Sequence, residues 1–439
     1  MEGLVKKLIR EMDYSISDED LERKVAVHIQ NINEGNYNFN NPSKTTLSQK
    51  TSSGIKKRVV YSFNTETTEY LLCQYLKKRL DSTFDIAYTN RKKIIKVLFN
   101  TLLVLNDLQD FVIIRFDFKS FFDSVSTKFV FTKYVQSSSI TRYDKTIFSN
   151  FCNAIPYCYA GLQTSSAMTE IACVDFDKVL RAKLNDYGLV YCERYVDDVL
   201  IILNKYISES NFKDILAESI KMVFTDCNVS INPNKFNYIA RRSMLVNNSF
   251  DFLGYLFKIK KKQNGSLSFK FGMTKSKIDK YTSKIRQTLR DYKDNNNLEL
   301  LRHRIKIFSS RVVYSWPLSD ENCNWITKGI VDSYNELHHH IEYLDTTTKK
   351  FLQRIYYTEM QNLNVSIPYF MNSNFSEADD SVYNLFSNMK RNRSIIFDEK
   401  IGVNFNNLIN QIKKLEPGYY CGDRKYHQVT KDYLDFLDL

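Results

Sequence analysis

Residues 189–203 read LVYCERYVDDVLIIL, two short β-rich runs that meet at adjacent acids, Asp197 and Asp198. A hairpin that serves structure alone favours Asn-Gly at its turn, so two carboxylates there call for another reason. Working outward, FVIIRF (111–116) is a continuous apolar strand broken only by Arg115, and it runs directly into Asp117. Three carboxylates on two strand ends make an oxygen-rich cluster if those strands are neighbours in one sheet. Hard oxygen ligands suit Mg²⁺, and two such ions ~3.5–4 Å apart stabilise the entering and leaving oxygens of an in-line phosphoryl displacement. Like charges packed so closely repel without a cation between them.

The chain has 439 residues with 62 Lys+Arg against 50 Asp+Glu, a formal charge of +12. At ~150 residues per domain it should form two or three units. Its length and its 43% hydrophobic content exclude disorder. Twelve Gly and six Pro leave little material for β-sandwich turns, while 29 Tyr and 30 Phe supply much aromatic surface. A helix-rich α+β protein follows. Aromatic faces on a basic background suit single-stranded nucleic acid, although an ordinary basic protein has the same composition. No stretch approaches the ~20 apolar residues of a membrane span. The opening MEGLVKKLIREMDYSISDEDLERK lacks the apolar core of a signal peptide, so the expectation is a cytoplasmic protein without a membrane partner. The eight cysteines include no CxxC pair and no zinc spacing with His, and read as reduced thiols. The run His338, His339, His340 points in three directions on a helix and does not converge on one ion.

Along the chain, residues 2–33 have a helical pattern, and 35–54, rich in Asn, Ser, Thr and Lys, reads as a loop or linker. The basic strand KKRVVYSF (56–63) follows, then helical segments around Leu71–Leu80 and NRKKIIKVLFNTLLVL (90–105). Residues 164–184 and 208–226 read as helices, NVSINPNK (228–235) as a turn, and DFLGYLFKIK (251–260) with SLSFKFG (266–272) as a hairpin. Beyond residue 274, spacings such as Leu301, Ile305, Phe308 and Val312 predict an all-helical remainder, with a boundary near 273. The acids Glu377, Asp379 and Asp380 fall in a Ser/Asn-rich turn. Tyr419, Tyr420 and Tyr426, near Arg424 and Lys425, suit tail packing, stacking on RNA, or a priming hydroxyl.

Five strings occur in one order: RFDFKSFFDS (115–124), AGLQTSSAMTEI (160–171), RYVDDVLI (194–201), SINPNK (230–235) and FDFLGYLF (250–257). In order and spacing they resemble reverse transcriptases over roughly residues 50–275, and the resemblance is strongest to the retron, abortive-infection and defence-associated bacterial lineages. It implies a right-hand polymerase: an N-terminal helical extension and linker (1–54), fingers and palm with an antiparallel palm sheet (55–273), a helical thumb (274–345) and a helical C-terminal extension (346–439). KSKIDKYTSKIRQTLRDYK (275–293) has the cation and apolar alternation suited to tracking a duplex.

Carried over residue by residue, the resemblance makes Asp117 the metal-binding carboxylate of the first palm motif, with the Phe118 carbonyl on the same ion. Tyr195 to Asp198 match the YxDD box, Asp197 as the essential ligand and Asp198 as the weaker one. Phe122 stands where the family keeps an aromatic gate against a 2′-hydroxyl. Lys57 and Arg58 resemble the fingers residues that grip the triphosphate. Lys235 matches a lysine proposed to protonate pyrophosphate. Phe252, Leu253 and Gly254 match the hairpin that holds the primer end. The second palm motif departs from the usual GLPQG or GLPTG: here Gly161, Leu162, Gln163, Thr164, Ser165 and Ser166 lack both the Pro and the second Gly. Gln163 falls among the nucleotide-binding positions.

The implied activity is RNA-directed DNA synthesis from dNTPs with two Mg²⁺ ions, Mn²⁺ being a substitute. The implied partner is a structured non-coding RNA, copied in bacterial antiphage defence, with a partner protein or a second copy of the chain in support. Two alternatives stay open: template-independent or protein-directed DNA synthesis on the same site, and a nucleic-acid-binding effector on a polymerase scaffold.

Overall fold

The computed structural model describes residues 1–13, 16–51, 54–317, 323–371 and 381–438, so Glu377, Asp379 and Asp380 lie outside the described residues. The protein is a mixed α+β molecule that divides into two compact units, Met1–Val246 and Asn247–Leu439.

In the first unit, β1 (Ser43–Thr51) and β2 (Gly54–Ser62) form an antiparallel ribbon with Leu47 opposite Arg58 and Ser48 opposite Lys57. Residues 43–51 are thus a strand where the sequence reads as linker. SKTTLSQKT has no apolar face, and backbone pairing alone reveals it. The central sheet contains β3 (Val112–Asp117), β4 (Leu189–Tyr195), β5 (Asp198–Leu203) and β6 (Asn237–Ala240), in the antiparallel order β4-β5-β3-β6. Every residue of β3 is buried, and β5 is apolar from Val199 to Leu203. Strands covered on both faces need such uninterrupted apolar runs.

Helix Gln163–Leu184 packs on helices Thr68–Phe84 and Glu209–Val223 and reaches β4, and helix Arg91–Leu103 also lies on β4. Thr164 Oγ1 donates to the Cys73 carbonyl at 2.9 Å, which fastens the start of the long helix to its neighbour. Below the Asp117 end of β3, Phe118 stacks on Phe121 at 4.9 Å and meets Phe116, Phe176 and Phe224 edge-on. Much of the phenylalanine content is therefore core, which removes it from any nucleic-acid surface.

The second unit opens with an antiparallel meander of β7 (Asn247–Phe252), β8 (Tyr255–Lys261) and β9 (Leu267–Met273), followed by helices Lys275–Asn295 and Leu298–Phe308. The remainder is not all-helical. β10 (Arg311–Pro317) pairs antiparallel with β11 (Cys323–Lys328) and parallel with β12 (Ser394–Phe397), in the order β11-β10-β12. Leu301, Ile305 and Phe308 are helical as their spacing predicts, but Val312 continues the period by coincidence: the helix stops at Phe308 and RVVYSWP (311–317) extends as a strand. Helices Thr346–Asn362, Phe405–Leu415 and Tyr426–Phe436 also belong to the unit, and one of its cores gathers Val312, Phe397, Leu408, Ile412, Val429 and Tyr433. Residues 247–273, read from sequence with the palm, lie in the compact unit Asn247–Leu439. Among the described residues no helix is long and apolar enough to cross a membrane.

Ile201, fully buried at the middle of β5, tests the sheet. Replacing it with Ala should destabilise the first unit by roughly 2–5 kcal/mol, seen as a lower denaturant midpoint at unchanged slope.

Candidate active site

The pairing of β3 with β5 sets the geometry. Asp117 is the cross-strand partner of Asp198, and Phe118 N–H donates to the Asp197 carbonyl at 3.2 Å, so all three acids meet at one end of the sheet. Lys235 joins them from the short helical turn Pro233–Lys235, its ammonium paired with Oδ2 of Asp117. That turn is held by two backbone bonds, Asn232 N–H to the Asp117 carbonyl at 2.9 Å and Lys119 N–H to the Ser230 carbonyl at 2.8 Å. Asp117 is 2% exposed, and its second oxygen, Oδ1, is buried without a partner.

The electrostatics ask for a cation. Burial, and after it the Asp198 charge, push the Asp197 carboxyl above its usual range. Burial raises Asp198 too, against the pull of the Arg115 and Lys235 charges. Among the described residues no group of three or more His, Cys, Asp or Glu side chains is arranged to hold a metal ion. The unpartnered Oδ1 of Asp117 and the strained ionisation of Asp197 nevertheless fit a divalent cation held by two carboxylates and backbone oxygen.

Two arginines that sequence reasoning left without a role build this site. Arg115 donates from Nη2 to Oδ1 of Asp198 at 2.6 Å and from Nη1 to the Lys235 carbonyl at 3.2 Å. Arg194, 7% exposed, makes bonds of 2.8–3.1 Å to Glu170 and Asp177 on helix Gln163–Leu184 and donates to the Val196 carbonyl at 3.0 Å. The only sequence signal is a cation inside an otherwise apolar strand, as at Arg115, or directly before the acidic box, as at Arg194. Their partners lie too far along the chain to be read.

Arg194 supports a strained turn. Tyr195 pairs with Asp198, so Val196 and Asp197 are the two turn residues, and Val196 has φ 59°. A β-branched residue at positive φ is a true outlier, at the position where a type II′ hairpin prefers Gly. Such strain persists only where the surroundings enforce it.

Tyr195, Gln163 and Phe122 are half-buried. Gln163 opens the long helix and accepts the Ser166 hydroxyl at 2.8 Å, while Phe122 lies beside Phe121, five residues from Asp117. Phe118 contributes its ring to the core, which leaves only its backbone to the site. Lys57 and Arg58 are exposed on β2 and have no bond to the carboxylates among the described residues. Their strand is nonetheless tied to the altered second motif: Tyr61 N–H donates to the Ala160 carbonyl at 2.8 Å, and Tyr61 stacks on Tyr159 at 4.3 Å. Gly161, at φ +103°, makes that approach possible, since a Cβ there would lie 2.4 Å from the Tyr61 carbonyl oxygen.

Phe252, Leu253 and Gly254 form the β7–β8 turn in the second unit. Leu253 and Gly254 both have positive φ (49° and 82°), and the Gly254 carbonyl accepts from Thr274 N–H and the Tyr334 hydroxyl. A Cβ on Gly254 would press on Lys277 and Tyr334. Close approach at this glycine is therefore already taken by side chains of its own unit. Of the tail tyrosines, Tyr426 donates to the Val403 carbonyl, Tyr419 donates to Asp432 at 2.7 Å, and Tyr420 is 86% exposed. Neither the protein-family models nor the curated proteins include one that matches this chain.

Val196→Gly should relieve ~1–2 kcal/mol of left-handed strain, less the entropy of a glycine. Thermal unfolding of the first unit should then rise by about 2–4 °C per kcal/mol gained. A lower melting temperature would show that the turn is not strained.

Proposed function

We propose that the chain is a nucleotidyltransferase of the reverse transcriptase kind, extending a DNA strand from dNTPs on an RNA template. The observation that carries this reading is the cluster at the Asp117 end of β3: two cross-strand acids, a third acid in a strained turn, and a lysine on one of them. The pairing of Tyr195 with Asp198, the sequence positions of Phe122 and Gln163, and the +12 charge support the same reading. The altered second motif bears on template handling, and its Gly161 keeps the contact with β2.

Asp117 and Asp197 would hold Mg²⁺, with the Phe118 carbonyl beside them. When bound, the ions lower the charge on the phosphates and ready the 3′-hydroxyl for attack. The bond from the 3′-oxygen to the α-phosphorus forms as the bond to pyrophosphate breaks, and the hydroxyl proton passes to solvent water. Lys235, whose ammonium pairs with Asp117, would give a proton to the departing oxygen. Phe122 restricts room beneath the sugar, which favours dNTPs. A structured non-coding RNA, and a role in antiphage defence, belong to this proposal through the family resemblance.

The test is primer extension by the purified chain. Asp197→Asn should abolish incorporation with Mg²⁺ and with Mn²⁺, and Phe122→Ala should admit ribonucleotides that the wild type rejects. Full incorporation by Asp197→Asn would end this reading.

A pH dependence follows from the same carboxylates. Metal binding needs the carboxylates of Asp117 and Asp197 ionised, and the Asp197 carboxyl titrates above the ordinary 3.8, chiefly through burial. The rise in melting temperature on adding Mg²⁺ should be full at neutral pH and disappear as pH falls through that raised range, sooner than for ordinary aspartates. Melting curves with and without Mg²⁺ across pH check it, and Asp197→Asn should show no Mg²⁺ effect at any pH.

A further inference from the structure

Arg115 has the least expected position in the first unit. It lies on β3, two residues before Asp117, in a strand otherwise apolar up to its acidic end, and it is 7% exposed. Alternation puts Arg115 and Asp117 on one face, and cross-strand pairing puts Asp198 there too. The guanidinium spans from the Asp198 carboxylate to the Lys235 carbonyl, and Lys235 in turn pairs with Asp117. One buried side chain thus connects β3, the acidic hairpin and the lysine turn. Stability alone does not account for it: its Nε is buried without a partner, and a buried ion pair is often matched or bettered by apolar residues of the same size.

The charges show what it does. Three acids face two cations, Arg115 and Lys235, which leaves one net negative charge. Of the acids, Asp198 is engaged by Arg115 at 2.6 Å, while Asp117 keeps an unpartnered oxygen. We propose that Arg115 is a positioning residue that keeps Asp198 as its own counter-ion, out of metal ligation, and holds the Lys235 turn in register with the Asp117–Asp197 pair. The assignment rests on the nucleotidyltransferase reading for its purpose, but its metal-binding consequence is measurable without catalysis.

The experiment uses the full chain without nucleotide. Mn²⁺ binding is followed by electron paramagnetic resonance of the free ion, thermal unfolding is recorded on the same preparations, and dNTP incorporation is measured separately. Asp197→Asn should weaken Mn²⁺ binding roughly 10–100-fold, while Asp198→Asn, which removes a neighbouring charge but not a ligand, should weaken it by only about three-fold. Arg115→Met removes a nearby positive charge and frees a carboxylate, so it should bind Mn²⁺ at least about three-fold more tightly. The same variant should incorporate dNTPs roughly 10²-fold more slowly, chiefly in kcat, because the Lys235 turn loses its side-chain tie and keeps only its backbone bonds. Tighter metal with slower synthesis is a split that general damage to the fold does not produce. Arg115→Lys, which keeps the charge but not the two-pronged contact, should leave Mn²⁺ affinity near wild type and still slow synthesis.

Loss of Mn²⁺ binding in Asp198→Asn equal to that in Asp197→Asn would overturn the assignment. So would unchanged or weaker binding in a folded Arg115→Met. If Arg115→Met does not fold, the comparison of Asp197→Asn with Asp198→Asn decides the question. A wild type that shows this Mn²⁺ pattern yet incorporates no dNTP would count against the proposed function and leave the Arg115 clamp standing. Normal incorporation by Arg115→Lys and Arg115→Met would do the reverse.

Discussion

Everything at the candidate site depends on one pairing, β3 against β5 in the register that sets Asp117 opposite Asp198. A shift of a single residue would turn Asp117 to the other face and place a carboxylate in the aromatic core beneath it. Burying three acids at one sheet end is costly, and the chain offsets the cost locally: Lys235 on Asp117, Arg115 on Asp198, and Arg194 under the Val196 turn. The offset is incomplete: at Asp197 burial and the Asp198 charge outweigh the Lys235 charge, and one oxygen of Asp117 is unpartnered among the described residues. That residual demand for positive charge links the fold to the proposed chemistry.

Arg194 extends the constraint outward. Its bonds to Glu170 and Asp177 connect the acidic hairpin to the helix that begins at Gln163, and Thr164 fastens that helix to Thr68–Phe84. Gly161, just before it, meets β2 at Tyr61 and Val60. A continuous set of packed elements therefore runs from the basic ribbon carrying Lys57 and Arg58 to the turn carrying Asp197. The segment Gly161–Gln163 thus supplies both the glycine contact and the helix start.

What the sequence made legible follows from which forces leave a local trace. Apolar runs and periodicity marked FVIIRF, LVYCERYVDDVLIIL and the helix from residue 164, and those elements position the acids. The ribbon strand 43–51 left no trace because backbone pairing holds it rather than a buried face. Val312 misled because it extended a helical period into a strand. The clamps could not be read at all: Arg115 meets Asp198 across 83 residues, and Arg194 meets Glu170 across 24. Long-range ion pairs exist only after the sheet and helix have met.

The measurement that most directly tests the central claim is to purify the chain with its bound nucleic acid, supply Mg²⁺ and dNTPs, and sequence the DNA made. The account predicts DNA complementary to a defined co-purified RNA, and none from a preparation lacking the Asp197 carboxylate. Low-complexity DNA matching no RNA, or DNA made equally well without that carboxylate, would contradict it.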